Sequence, residues 1–82
     1  SIEMLRRAAE MVDNAGWVLT NADCTVIIDQ PQIAPVKDEI EKNLSDASGA
    51  PVTVCGKRTE GIGALGRGEG VIAIAVALLE RK

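Results

Sequence analysis

Fifteen residues, GKRTEGIGALGRGEG (56–70), hold six of the chain's eight glycines and interleave them with Lys57, Arg58, Thr59, Glu60, Arg67 and Glu69. Glycine loses more backbone freedom on folding than any other residue, so a run this bare implies that the main chain must approach something closely. Glycines ahead of a helix let backbone N–H groups point at an anion, and the helix start adds partial positive charge. Arg67 offers a forked donor suited to phosphate oxygens. Glu60 is out of place among bases if the target is only an anion; a carboxylate beside phosphates usually means a divalent cation between them. Thr59 adds a neutral oxygen for a phosphate or for a metal-bound water. The chemistry this pattern suits is the gripping of a diphosphate with a metal ion. The plainer alternative is a glycine-rich turn in which Glu60 and Glu69 pair with Arg58 and Arg67 in solvent, where such pairs carry little energy.

Two familiar glycine signatures do not fit. GIGALG (61–66) has the letters G-x-G-x-x-G. A dinucleotide fold, however, needs a further strand carrying an acidic residue roughly 20 residues later, and the chain ends at Lys82. Five residues (57–61) also separate the apolar strand from the second glycine, too loose a turn. A P-loop fails because Gly66 is followed by Arg67 and Gly68, where Lys and Ser or Thr are required.

Stepping outward to the elements, Ser1 is placed to cap a helix running to about Ala15 and stopped by Gly16. Ile2, Leu5, Ala9 and Val12 share its inner face, widened by Met4, Ala8 and Met11. WVLTNADCTVIID (17–29) reads as a long strand bent at Asn21, with Cys24, Val26 and Ile28 on one side and Asp23, Thr25, Ile27 and Asp29 on the other. QPQIAP is a proline-bracketed loop. A second helix follows from about Pro35 to Gly49, with Val36, Ile40, Leu44 and Ala47 as its buried stripe. PVTVCGK is a short second strand. Residues 69–80 read as a third helix, apolar on nearly every side and therefore buried all round. The order α-β-α-β-α predicts an α/β (α+β) unit with helices packed on one side of a sheet. Two strands alone are marginal in water, which calls for missing strands or strands from partner chains.

Composition points the same way. A chain of 82 residues buries only roughly 60–65% of its unfolded surface, and its core has a single aromatic, Trp17. The net charge of −3 argues against a non-specific nucleic-acid binder, while Lys57, Arg58 and Arg67 make a local positive site for a small anionic ligand. Cys24 and Cys55 fall in apolar strands and read as buried reduced thiols in a cytosol-like compartment, with no role in catalysis. No signal peptide stands at the start, and the most apolar run, 71–79, is too short to cross a bilayer. We read residues 1–82 as one domain segment of something longer, or as an obligate oligomer.

TEGIGALGRGEG, preceded by a strand and followed by what reads as an all-apolar helix, resembles the C-terminal half of the 2-C-methyl-D-erythritol 2,4-cyclodiphosphate synthases; NADCTVII, PQIAP and GAPV fit that family in the same order. The resemblance covers essentially the whole chain. It implies an enzyme of non-mevalonate isoprenoid synthesis in a bacterial cytoplasm or plastid stroma. In that reaction the 2-phosphate of 4-diphosphocytidyl-2-C-methyl-D-erythritol 2-phosphate attacks the β-phosphorus, and CMP leaves as the cyclic diphosphate closes. It also implies a homotrimer with sites between adjacent subunits, strands around the three-fold axis and helices outside.

By position, Glu60 matches the family's acidic ligand for a magnesium- or manganese-type ion. Thr59 and Arg58 fall where a threonine run contacts phosphate. Asp29, Gln32, Ile33 and Ala34, with Gly56 and Lys57, fall at the cytidine pocket. Arg67 and Glu69 match residues near the trimer axis, beside a cavity that takes a prenyl diphosphate in the family. Three departures stand out. The family's other metal, zinc, is held by an aspartate and two histidines of an N-terminal half, and this chain has no histidine. Lys57 and Arg58 stand where the family has threonines, and DQPQIAP is one residue shorter than the family's loop. The resemblance thus implies a chain that supplies the cytidine and diphosphate part of the site, is inactive alone, and works with an N-terminal half. The alternative is a non-catalytic trimer that binds a nucleotide or prenyl diphosphate.

Overall fold

The computed structural model describes residues 1–29, 32–59, 63 and 67–82. Its elements are α1 (Ile2–Asn14), β1 (Trp17–Ile27), a 3-10 turn (Ala34–Val36), α2 (Lys37–Ser48), β2 (Val52–Lys57) and β3 (Ile72–Arg81). The strands form one mixed sheet in the order β2-β1-β3, with β1 parallel to β2 and antiparallel to β3. Two helices on a sheet give the α+β class that the sequence pattern predicts. The third helix is the correction: residues 72–81 are a strand. IAIAVAL alternates large residues (Ile72, Ile74, Val76) with small ones (Ala73, Ala75, Ala77). Because alanine is apolar, the hydropathy reads as continuous and mimics a buried helix. The informative alternation is one of bulk and β-branching, with a period of two.

The register sorts the sheet into two unlike faces. Ala22, Cys24 and Val26 of β1 stand beside Val52, Val54 and Gly56 of β2 and beside Ala77, Ala75 and Ala73 of β3. On this face Val52 and Val54 are buried, together with Ala47 of α2 and Ala50, so it is the side on which the helices lie. The alternating sides expected for β1 are therefore right from Asp23 to Ile27, while Ile28 and Asp29 lie beyond the strand, which ends two residues earlier than expected. The bend expected at Asn21 is a register shift between Leu19 and Asn21, one extra residue in β1. The opposite face carries Ile72, Ile74, Val76 and Leu78 beside Ile27, Thr25, Asp23 and Asn21. Nothing described covers it: Val76 is 70% exposed and Ile74 56%.

The helices pack on each other and on β1 and β2. In α1 the inner residues Ile2, Leu5, Ala9 and Val12 are half-buried. Met4 and Met11, placed at the edge of that stripe, are 73% and 71% exposed, and Ala8 is exposed too, because no neighbour flanks the helix there. Ser1 stands at the N-cap position, but only its carbonyl is used, accepting from the Leu5 N–H at 3.0 Å. In α2, Ile40, Leu44 and Ala47 turn inward, whereas Val36 is exposed because it ends the 3-10 turn and not the helix stripe. Gly49 ends α2 in the left-handed region (φ 81°), its N–H donating to the Ser45 carbonyl, as a C-terminal glycine does.

Side chains of α2 then close the outer edge of β2. The Val54 N–H donates to the Glu41 carboxylate at 2.7 Å and the Val52 N–H to the Ser45 hydroxyl at 2.9 Å. That main-chain bond, and then the Lys37 ammonium 3.0 Å away, hold the Glu41 carboxyl below its ordinary range. At the far end of the sheet the Arg81 guanidinium covers the Trp17 ring (4.9 Å to the centroid), and Lys82 pairs with Asp13. Cys24 is half-buried, but Cys55 is exposed, against expectation, since the register puts it beside Thr25 on the face without helices. Both thiols are free. The molecule is elongated, 44 × 22 × 20 Å with a radius of gyration of 14.4 Å. A compact unit of this length has a radius of about 12 Å; among the described residues the buried core is Ala47, Ala50, Val52 and Val54, as thin as composition predicts. Among the described residues no helix is long and apolar enough to cross a membrane.

Candidate functional site: a cationic pocket at the ends of two parallel strands

β1 and β2 run side by side and stop together. Their last paired residues are Ile27 and Lys57, and the Ile28 N–H adds one more bond to the Lys57 carbonyl at 3.0 Å. Beyond that point the chains part, one into the 28–34 segment and the other into the 57–59 segment. Between them opens a pocket of about 420 Å³. Crevices at the carboxyl ends of parallel strands are where open sheets bind ligands.

Asp29, Gln32, Ile33, Ala34, Gly56, Lys57 and Arg58, all singled out in the sequence, line this one pocket although two distant stretches of chain supply them. Thr59 is held to Asp29, its N–H donating to one carboxylate oxygen at 2.7 Å and its hydroxyl to the other at 2.5 Å. Arg67 lies elsewhere, in an exposed turn, its guanidinium paired with Glu69. That pair is the plain solvated one the sequence left open. Glu60, the expected metal ligand, lies outside the described residues.

Sequence reasoning missed Lys37, which also lines the pocket. It opens α2, and only the return of β2 alongside that helix brings its ammonium toward Lys57 and Arg58, so no local signal marks it. Glu41 fixes the Lys37 ammonium and raises its pKa. Three basic residues and one acidic residue thus line a pocket whose volume falls within the range of small-molecule sites. Gly56 shows what the bare main chain approaches at the start of the glycine run: a Cβ there would stand 2.9 Å from the Ile33 Cβ. Ile33 packs against that strand end and lines the pocket. Among the described residues no cluster of three His, Cys, Asp or Glu could hold a metal ion.

A second hollow of about 480 Å³ lies between α1, α2 and the start of β1, lined by Arg6, Glu10, Asp13 and Asp46 among others. It is larger, but it contains none of the sequence candidates and sits away from the strand ends. The cationic pocket is the better site on chemistry.

Fold and pocket together define a small α+β domain with a pocket lined by Lys37, Lys57 and Arg58 at the carboxyl ends of parallel strands. The chain belongs to the YgbB family, whose model matches residues 1–80. It is 47% identical over 77 residues to the bifunctional enzyme IspD/IspF of Clavibacter michiganensis, covering 94% of this chain and 19% of that one. It is 37% identical to the 2-C-methyl-D-erythritol 2,4-cyclodiphosphate synthase of Treponema denticola, covering 96% of this chain and 51% of that enzyme. Among solved structures, the synthase of Plasmodium vivax superposes with a TM-score of 0.94 at 33% identity, over 99% of this chain and 56% of that one. The IspF of Plasmodium falciparum in complex with CDP gives 0.92 at 27% identity, over 99% and 54%. The chain therefore spans about half the length of the synthases it matches.

Proposed function

We propose that this chain is the cytidine- and diphosphate-binding part of a 2-C-methyl-D-erythritol 2,4-cyclodiphosphate synthase. The observation that carries the reading is the gathering of Asp29, Gln32, Ile33, Ala34, Gly56, Lys57 and Arg58 around one pocket, in a chain whose fold matches a synthase in complex with CDP. In the proposed reaction the 2-phosphate oxygen bonds to the β-phosphorus, the bond from that phosphorus to the bridging oxygen breaks, and CMP departs with that oxygen. Phosphoryl transfer asks a protein mainly to position the reactants and to offset their charge. Lys37, Lys57 and Arg58 are placed for the second task, and main-chain groups at the strand ends for the first. Glu60 is proposed to hold a magnesium- or manganese-type ion, which would neutralise the diphosphate. Zinc has no ligand set among the described residues and would need residues outside this chain.

The same reading proposes a homotrimer. The β3 stripe of Ile72, Ile74, Val76 and Leu78 is apolar and covered by no described residue, which suits burial against a second copy, with Asp23 and Thr25 of β1 beside it. The outer edge of β2 is closed by Glu41 and Ser45, so further strands, such as an N-terminal half would bring, are proposed to join at β3. The lack of histidine favours one alternative worth keeping, a trimer that binds a nucleotide or prenyl diphosphate without turnover. The test is a CMP-release assay on the isolated chain with zinc and magnesium added. No turnover is expected; robust release would show that the chain needs no metal ligands from elsewhere and would overturn the division of labour proposed here.

A further inference from the structure

The β1–β2 ladder ends with the Ile28 N–H on the Lys57 carbonyl. The next connection between the two parting segments is made by a side chain. Asp29 turns both carboxylate oxygens to Thr59, thirty residues further on, accepting from its N–H at 2.7 Å and from its hydroxyl at 2.5 Å. Bonds to a carboxylate are about twice as strong as neutral ones. Asp29 and Thr59 are both half-buried, which limits competition from water. Asp29 lines the pocket, and Thr59 immediately follows Lys57 and Arg58, which also line it. Regular pairing has already stopped at Lys57, so this clasp carries the connection between the two segments past the end of the ladder.

We propose that Asp29 is a positioning residue: it fixes the main chain at Thr59, holds Lys57 and Arg58 at the pocket rim, and does not itself contact the nucleotide. This assigns it a different task from the direct cytidine contact that the family resemblance implies. The inference rests on the reading that the pocket binds a cytidine diphosphate.

The experiment is calorimetric titration of the full chain with CDP and Mg²⁺, for wild type, Asp29→Ala, Thr59→Val, the double variant and Thr59→Ser, together with hydrogen exchange at the Thr59 amide without ligand. Asp29→Ala removes both bonds of the clasp and is expected to weaken CDP about tenfold or more, and to expose the Thr59 amide to fast exchange. Thr59→Val should lose several-fold, and Thr59→Ser, which keeps the N–H and the hydroxyl, should bind like wild type. In the double variant the losses should fall well short of their product, because both changes cut the same clasp. Asp29→Asn, closer in shape, serves if the alanine variant does not fold, and should fall between. A wild-type chain that gives no signal with CDP overturns the functional reading. A wild type that binds, with affinity indifferent to Asp29 or with losses that multiply in the double variant, overturns the positioning role alone.

Discussion

Val76→Asp is expected to give a monomer, whereas the wild-type protein is expected to sediment as a trimer. Val76 sits at the middle of β3 and is 70% exposed in the single chain, flanked by Ile74 and Leu78 on the face away from the helices. The physical driving force for covering that face is the roughly 25 cal/mol released per Å² of apolar surface taken from water. An aspartate there does more than remove contacts, since an unpaired carboxylate in an interface costs several kcal/mol. Each 1.4 kcal/mol is a factor of ten in association, so the expected loss is on the order of a hundredfold or more per interface. Asp23 stands directly beside position 76 on β1, so the new charge also meets a like neighbour. Met4→Asp is the control: Met4 is 73% exposed, but it belongs to α1, which packs on the opposite side of the sheet, and the trimer should survive. Sedimentation velocity separates the outcomes. A Val76→Asp protein that remains trimeric would place the interface elsewhere.

Gly56→Ala is expected to lower CDP affinity about tenfold or more and to lower thermal stability with it. Gly56 lies in ordinary extended strand backbone, not among the glycines of positive φ, so any residue could adopt its conformation. What forbids a side chain is space: the added Cβ would be 2.9 Å from the Ile33 Cβ, closer than two carbons can stand. Ile33 must then swing away from the strand end or the strand must shift, a strain of about 1–3 kcal/mol. Either movement alters a pocket wall. The double variant with Ile33→Ala separates crowding from any other effect, because removing the obstructing atoms should restore part of the stability lost. If Gly56→Ala binds CDP like wild type, the contact with Ile33 does not shape the ligand's seat.

How much of this was legible in the chain varies by element and for definite reasons. β1, β2 and α2 are bounded by strong local signals: alternating polarity through Asp23, Thr25 and Cys24, a left-handed glycine at 49, and Pro51 beyond it. The third helix expected at 69–80 was wrong because hydropathy registers that Ala73, Ala75 and Ala77 are apolar but not that they are small. Read by volume, the same residues alternate strictly. The two methionines of α1 were drawn into its buried stripe by type, whereas burial depends on whether a neighbour exists to cover them.

At the site, the motif residues around Gly56 and the proline loop could be paired in advance only through the family resemblance. Their meeting follows from the parallel register of β1 and β2, which no local pattern encodes. Lys37 shows the same limit from the other side. It looks like an ordinary first-turn lysine, and it becomes a pocket cation only through the placement of α2 along β2.

The central proposal is that the strand-end pocket binds a cytidine diphosphate through a metal ion held by Glu60. Titration of CDP into the chain with and without Mg²⁺, repeated with Glu60→Gln, measures it directly. Binding that needs the metal in the wild type and vanishes in Glu60→Gln is the expected result. Absence of any heat or thermal stabilisation with CDP, or an affinity that is the same with and without metal and unchanged by Glu60→Gln, would contradict it.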